Sequence, residues 1–445
     1  MKGLVIAAGD GTRLHPYTKK KCKALVPLLG LSLVERVILS AKEAGIKEFV
    51  IVSGYEGSLL KERIGDGTSY GVKIEWVHNP DWEEGNGVSV FKARDHFESE
   101  ERFVLMMCDH MFDPDNLRLL LQRKDKKNIL CVDKKIDEVF DLDDATKVLV
   151  EGDKIVEIGK GLKKFNAIDC GMFLCSYSLF ESLEKSIREN KDSLSDGVEV
   201  LIDKNEMRAC DVKGGFWADI DTPKSLKFVK MRLIQSLPNP REGIISRKIN
   251  RKVSLQITKY LSSTSLTPNQ ISFLSFLVGL AAAVLFGLGR FPWVLYAGLL
   301  AQFSSILDGV DGEVARLKLI KSNYGDFIDS IFDRYVDGFI ILGMTFGVYF
   351  VSHNLWVWII GWIALVGASL SSFYKEKYKV ATGKTYISQK YDGWLRYIFA
   401  GRDSRLFLIM LGGVLNQVLV VLCIIALTSN VLAIYRFFSF RRFLD

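Results

Sequence analysis

Paired cysteines, strong net charge and internal repetition are all missing from this sequence. Its 7 cysteines form no CxxC pair, and all but Cys423 lie in the first half. An odd, scattered set excludes a disulfide framework or a cysteine-rich zinc site, and fits a reducing compartment. The formal net charge is only +7, too mild for a nucleic-acid-binding domain, so no nucleic-acid partner is expected. No internal repeat or low-complexity tract is visible. A secretory leader is not expected either. Residues 4–8 are apolar, but Asp10 and Arg13 end that run far short of an h-region, so it reads as a buried first strand. Charge itself disappears over one stretch: from Pro268 to Gln302 the one charged residue is Arg290.

What is present divides in two. The 445 residues allow two or three domains. The mean hydropathy of +0.15 alongside 25% charged residues averages two unlike halves. Residues 1–236 carry charge throughout and alternate β-rich runs (4–8, 49–53, 73–78, 103–107) with an amphipathic stretch at 33–44. That alternation predicts an α/β domain, Rossmann-like, with a mostly parallel sheet that binds ligands at the carboxyl ends of its strands. Residues 237–267 read as a linker. Its breaker at 237–240 precedes a helix with Ile245, Ile249, Val253, Ile257 and Tyr260 or Leu261 at helical spacing. Arg241, Arg247, Lys248, Arg251, Lys252 and Lys259 lie in the same region. This pattern suits a juxtamembrane helix at an anionic lipid surface, with the N-terminal domain cytoplasmic and the chain multi-pass in the cell membrane. An ordinary packed surface helix is the other reading. Residues 268–445 predict an all-α bundle of six transmembrane helices: 271–289, 291–307, 327–351, 355–373, a short span near 406–414, and 418–438. Thr267-Pro268 marks the first start as N-cap and first-turn proline. Small residues at Gly279, Ala281 and Ala283 permit close packing, either in a homodimer or as a lipid-facing stripe.

The first strand ends in Ala7-Ala8-Gly9-Asp10-Gly11-Thr12-Arg13, and Cys22-Lys23-Ala-Leu-Val-Pro27 follows. Glycines there would let backbone N–H groups close around phosphate, with Arg13 and Lys23 adding charge. A plain turn would need the same glycines. The longer pattern resembles the sugar-nucleotide pyrophosphorylase signature G-x-G-T-R-L-x-P followed by P-K-x-L-x-P. Cys22 departs from it, standing where the family usually has proline. The resemblance implies that Asp109, past the 103–107 strand, holds catalytic Mg²⁺ (Mn²⁺ as a substitute). In Trp217-Ala-Asp219-Ile-Asp221-Thr-Pro223 it implies Asp221 as second ligand, with Asp219 in reserve. Gly85-Asn86 falls in a segment resembling the one that contacts base and substrate, and residues 168–171 resemble the acceptor-side strand. In this family an acceptor phosphate attacks the α-phosphorus of a nucleoside triphosphate. The protein mainly positions and neutralises, and needs no general base.

The second constellation is Asp308-Gly-Val-Asp311-Gly312-Glu-Val-Ala315-Arg316, then Gly325, Asp329 and Asp333. Acids at membrane spans are expensive and mark function. Asp308 and Asp311 are i, i+3; Asp329 and Asp333 are i, i+4. Each pair shares a helix face, so two facing helices would converge four carboxylates, which repel unless cations lie between them. The spacing D-x-x-D-G-x-x-A-R-x₈-G-x-x-x-D-x-x-x-D resembles the CDP-alcohol phosphotransferase signature at every position. The resemblance implies Asp308, Asp311, Asp329 and Asp333 around metal, with Asp333 as general base. It implies that Gly312, Ala315 and Gly325 admit the cytidine nucleotide. Arg316 would contact nucleotide phosphate or pair with an aspartate. Arg402 and Arg405 are candidates for an acceptor's phosphate.

Fusion of the two parts makes sense if the first product is the second substrate, which sets the base as cytosine. Such a chain resembles the family of bifunctional inositol-1-phosphate cytidylyltransferase/di-myo-inositol phosphate phosphate synthases. That resemblance implies CTP and inositol 1-phosphate as substrates and CDP-inositol as intermediate. A phospholipid pathway with a lipid acceptor would use the same parts. A membrane-anchored, non-catalytic scaffold is the alternative of another class, and the intact signature argues against it.

Overall fold

The computed structural model describes residues 1–19, 21–237, 243, 245–393, 395 and 401–444. The breaker residues 238–240 and Arg241 lie outside the described residues. The chain divides into two compact units, Met1–Arg232 and Leu233–Asp445.

In the first unit nine strands form one sheet: β1 (Lys2–Ala7), β2 (Glu48–Ser53), β3 (Lys73–His78), β4 (Phe103–Met107), β5 (Asn128–Asp133), β6 (Lys147–Glu151), β7 (Lys154–Gly159), β8 (Ala167–Cys175) and β9 (Met207–Asp211). Their order is β3-β2-β1-β4-β8-β5-β9-β7-β6. The block β3-β2-β1-β4 is parallel, as the alternating pattern predicts, and so is the pair β5–β9. Strand β8 runs antiparallel to both β4 and β5. Strand β1 reads as an unbroken apolar run because it is covered on both faces. Leu4 and Ile6 join a core with Val50, Val52, Leu105, Phe173 and Leu183, while Val5 and Ile51 are fully buried as well. The amphipathic stretch is helix α1 (Leu33–Glu43), started by a Ser32–Glu35 capping box. Its buried Arg36 donates to the carbonyls of Leu28 and Leu29 at 2.6–3.1 Å, which ties down the loop carrying Lys23.

The second unit is helical: α2 (Arg251–Leu261), α3 (Pro268–Gly287), α4 (Trp293–Leu317), α5 (Asn323–Ser352), α6 (Trp356–Thr382), α7 (Arg402–Val414) and α8 (Val418–Leu444). Thr267 caps α3 in a box with Gln270, and Pro268 opens its first turn. Among the described residues five helices, α3 to α6 and α8, are long and apolar enough to cross a membrane. The short span expected near 406–414 falls in α7. Its 13 residues reach about 20 Å, against roughly 30 Å of bilayer core. Helix α7 instead packs closely on α4. A Cβ on Gly298 would lie 2.9 Å from the Met410 carbonyl, and one on Gly413 would lie 2.3 Å from that of Val294.

Two of the small residues of α3, Gly279 and Ala283, are taken up by packing within the chain. A Cβ on Gly279 would meet Val336 of α5 at 2.6 Å, and Gly343 of α5 sits against the Ala283 backbone. They let α3 and α5 approach within one chain, while Ala281 is exposed. Helix α2 buries a polar stripe, Arg251, Ser254 and Thr258, and leaves Val253 and Tyr260 exposed. Ile257 and Leu261 pack on Ile271, Val310 and Val314.

Candidate active sites

Strand β1 delivers Ala8-Gly9-Asp10-Gly11 to the carboxyl edge of the sheet. Gly11 has φ 72°, in the left-handed region, and a Cβ there would lie 2.8 Å from that of Lys23. Only glycine allows this turn to sit against the lysine. Opposite, a two-stranded ribbon pairs His110–Phe112 with Trp217–Asp219, aligning Asp219 with His110. The Ile220 N–H donates to the Asp109 carbonyl at 3.0 Å. The ribbon thereby brings Asp109 and Asp221 together from positions over a hundred residues apart. Lys23 Nζ bridges their two carboxylates. Arg13 pairs with Asp221 at 2.7 Å and Asp144 at 2.6 Å, and Lys160 also reaches Asp144, at 2.8 Å.

These groups line a cavity of about 400 Å³ that includes Ala8, Gly9, Gly11, Thr12, Arg13, Lys23, Asn86, Asp109, Asp169, Asp219 and Asp221. Ala7 closes β1 just behind it. Gly85 stands beside it for a packing reason. Its N–H donates to Asp192 at 2.9 Å, and a Cβ would lie 2.4 Å from the Asp192 carbonyl.

Burial would discharge Lys23, but Asp109 and Asp221 outweigh it and hold the ammonium charged well above its usual range. Burial likewise opposes the charge on Asp109. Lys23 and His110 reverse that and hold its carboxyl far below the ordinary value. His110, 2.8 Å from Asp109, is pushed up to about 9, the attraction of Asp109 exceeding the cost of burial. Burial raises Asp169 to about 6 and moves Asp219 upward too. Two carboxylates already meeting at one cationic group are a donor set suited to a hard divalent cation.

In the second unit, Asp308 of α4 meets Asp329 and Asp333 of α5, with carboxylate oxygens all within 4.8 Å of one another. An all-oxygen set of this kind suits a hard divalent cation. Asp311 stands beside this trio, accepting from Ser272 Oγ of α3 and from the Gly312 N–H. It lines an adjoining cavity of about 220 Å³ with Gly312, Ala315, Gly325 and Asp329, so Asp329 belongs to both cavity and trio. Arg316 lies along α4 beside Gly312, its Nη1 3.3 Å from where a Cβ would be. Arg402 of α7 reaches Asp308 and Asp333, each at 2.7 Å. Arg405 is buried and donates to Asp337 at 2.5 Å and Ser371 at 3.2 Å.

Sequence reasoning missed four residues here. Asp337 was legible: it continues the four-residue period of Asp329 and Asp333 on α5. Its carboxylate holds Arg405 and lies 3.5 Å from Arg402 Nε. His110 adjoins Asp109 and could have been read with it. Asp144 and Lys160 carried no local signal, because only the folding of β6 and β7 brings them to Arg13.

Comparison with known proteins agrees with this division. Residues 2–236 match the nucleotidyl transferase family and residues 265–429 the CDP-alcohol phosphatidyltransferase family. The bifunctional IPC transferase and DIPP synthase of Aquifex aeolicus (strain VF5) is 33% identical over 444 residues, covering 97% of each chain. Its namesake in Rubrobacter xylanophilus is 34% identical, covering 98% of this chain and 96% of its own. Among solved structures, the inositol-1-phosphate CTP transferase from T. maritima is 30% identical over 52% of this chain and 93% of its own, with a TM-score of 0.47. With relatives matched from end to end and a family match on each of its two units, the chain belongs to the bifunctional IPC transferase and DIPP synthase family.

Proposed function

We propose that the chain catalyses two consecutive reactions. The first unit converts CTP and inositol 1-phosphate to CDP-inositol and pyrophosphate. The second transfers the inositol phosphate group of CDP-inositol to another inositol 1-phosphate, giving a phosphorylated di-inositol phosphodiester and CMP. The observation that carries this reading is the presence, in one chain, of a glycine-turned cavity with Lys23 between Asp109 and Asp221 and of the Asp308–Asp329–Asp333 trio beside a small-residue cavity.

At the first site the acceptor phosphate is already anionic, so attack on the α-phosphorus needs no base. Arg13, Lys23 and the Gly9–Gly11 backbone orient the triphosphate and offset its charge. Asp109 and Asp221 would hold Mg²⁺, which neutralises phosphate charge when bound. At the second site a neutral hydroxyl must lose a proton, and Asp333 receives it as the oxygen attacks and CMP leaves. Asp308, Asp311 and Asp329 would hold Mg²⁺ there, and Mn²⁺ would substitute. Gly312, Ala315 and Gly325 leave room for the nucleotide. Arg402 and Arg405 take the acceptor's phosphate, with Asp337 fixing both guanidinium groups. In this reading α7 is the sixth helix of the bundle, and the site works in the cell membrane, against lipid, in a homodimer; the five long apolar helices support the membrane part. The exposed Lys252 and Lys259 of α2 favour a cytoplasmic first unit.

The test uses detergent-purified full chain. Asp109→Ala stops pyrophosphate release from CTP and inositol 1-phosphate, yet spares CMP release from supplied CDP-inositol. Asp333→Ala does the reverse. Loss of both activities in each folded variant would refute two independent sites.

A further inference from the structure

One buried charge takes no part in the chemistry above. Glu313 of α4 is fully buried, and both its oxygens are used. Arg251 Nη1 and Ser254 Oγ (2.7 Å) donate to Oε1, and Thr258 Oγ1 donates to Oε2. All three donors lie on α2 at i, i+3 and i+7, one stripe of that helix. The same side of α4 takes three further contacts. Arg251 donates to the Gly309 carbonyl at 3.3 Å, and Asn250 bonds to Ser305 at 3.1 Å and Gln302 at 2.6 Å. Glu313 follows Asp311 by two residues, so at about 100° per residue it projects from nearly the opposite face of α4.

An apolar contact between these helices would tolerate sliding and rotation. A carboxylate withdrawn from water and held by three directional donors does not, because any shift leaves it unpaired. We propose that α2 is a positioning element for the second reaction, and that Glu313 fixes the rotation of α4 and so the placement of Asp308 and Asp311. Gly309 contributes by leaving Arg251 room against the backbone next to Asp308: a Cβ there would lie 3.3 Å from its Nη1. The proposal rests on the second reaction assigned above.

The test titrates Mn²⁺ by electron paramagnetic resonance into the detergent-held full chain. Asp109→Asn and Asp221→Asn are introduced so that the signal reports the second site. Glu313→Gln is expected to weaken Mn²⁺ binding about tenfold and to lower kcat for CMP release from CDP-inositol on the order of 10- to 100-fold. The double variant Arg251→Met/Glu313→Leu removes the buried charges together and keeps the bundle packed. It is expected to show the same weakening, and it decides the matter should Glu313→Gln fail to fold. Wild-type Mn²⁺ affinity in either folded variant would overturn the proposal. Wild-type chain that binds Mn²⁺ but releases no CMP would overturn the assigned reaction instead, and the Mn²⁺ comparison would still decide the role of Glu313.

Discussion

Gly9 and Gly11 lie two residues apart in one turn, and alanine at each should fail for a different reason. At Gly11 the backbone has φ 72°, and a Cβ would lie 2.8 Å from Lys23 Cβ and 3.1 Å from Thr18 Cγ2. The left-handed conformation costs alanine about 1–2 kcal/mol. Carbon atoms rest about 3.5–4.0 Å apart, so Lys23 must retreat by roughly 1 Å, an overpacking cost of about 1–3 kcal/mol. Gly11→Ala is therefore expected to destabilise the first unit by roughly 2–5 kcal/mol, lowering its Tm on the order of 10 °C. A 1 Å displacement of Lys23 from Asp109 and Asp221 should slow pyrophosphate release about 100-fold. At Gly9 nothing lies within 4 Å of the added Cβ, yet the residue lines the cavity. Gly9→Ala should leave stability within about 0.5 kcal/mol of wild type and raise the KM for CTP about tenfold or more. Differential scanning calorimetry and coupled pyrophosphate assays measure both, with CMP release from supplied CDP-inositol as the unaffected control. Wild-type Tm and rate in Gly11→Ala would refute the steric argument. An unchanged CTP KM in Gly9→Ala would remove Gly9 from the nucleotide site.

Three further outcomes are expected. In metal-free protein His110 titrates at about 9 rather than 6.5, because Asp109 outweighs burial. Its contribution, on the order of 3 kcal/mol, is fully present below about pH 6.5 and lost as pH rises through 9; thermal melts in EDTA that stay flat over this window would contradict it. Asp337→Asn removes the anion from buried Arg405, a charge-assisted bond of about 1.5–3 kcal/mol. It should raise the KM for inositol 1-phosphate in the CMP-releasing step about tenfold, leaving the KM for CDP-inositol within about twofold; equal rises in both would count against an acceptor role. Cys22 has φ −64°, the angle a proline ring enforces. Cys22→Pro should therefore keep pyrophosphate release near wild type and stabilise by about 0.4–1 kcal/mol, and a lower melting temperature would show that the loop shape differs from that reading.

How far the sequence could be read depended on whether the information was local. Strand β1, helix α1 and the four-residue spacing of Asp329 and Asp333 are set by near neighbours in the chain, and all three were legible. The same rule would have found Asp337, one more step along the helix period. The convergence of Asp109 and Asp221 was legible only through family resemblance, since a ribbon joining residues 110–112 to 217–219 leaves no local trace. Asp144 and Lys160 had neither kind of signal. The antiparallel course of β8 was hidden for a related reason: a fully buried strand reads as apolar whichever way it runs.

Helix α2 shows the opposite failure, in which periodicity was right and its interpretation incomplete. The spacing of Val253, Ile257 and Tyr260 placed a helix correctly and named one face for lipid. Arg251 was counted among the basic residues at an anionic lipid surface, whereas the structure buries Arg251 with Ser254 and Thr258 against another helix. Their partner, Glu313, sits inside the most recognisable motif of the chain, at one of the positions the signature leaves open. A motif marks residues that touch substrate or metal and passes over those that hold the backbone behind them. On the side of α4 that carries Asp308 and Asp311, Arg402 and Ser272 already resist its rotation. The buried carboxylate adds to that resistance on the side facing away from Asp308 and Asp311, where no metal-binding pattern would lead a reader to look.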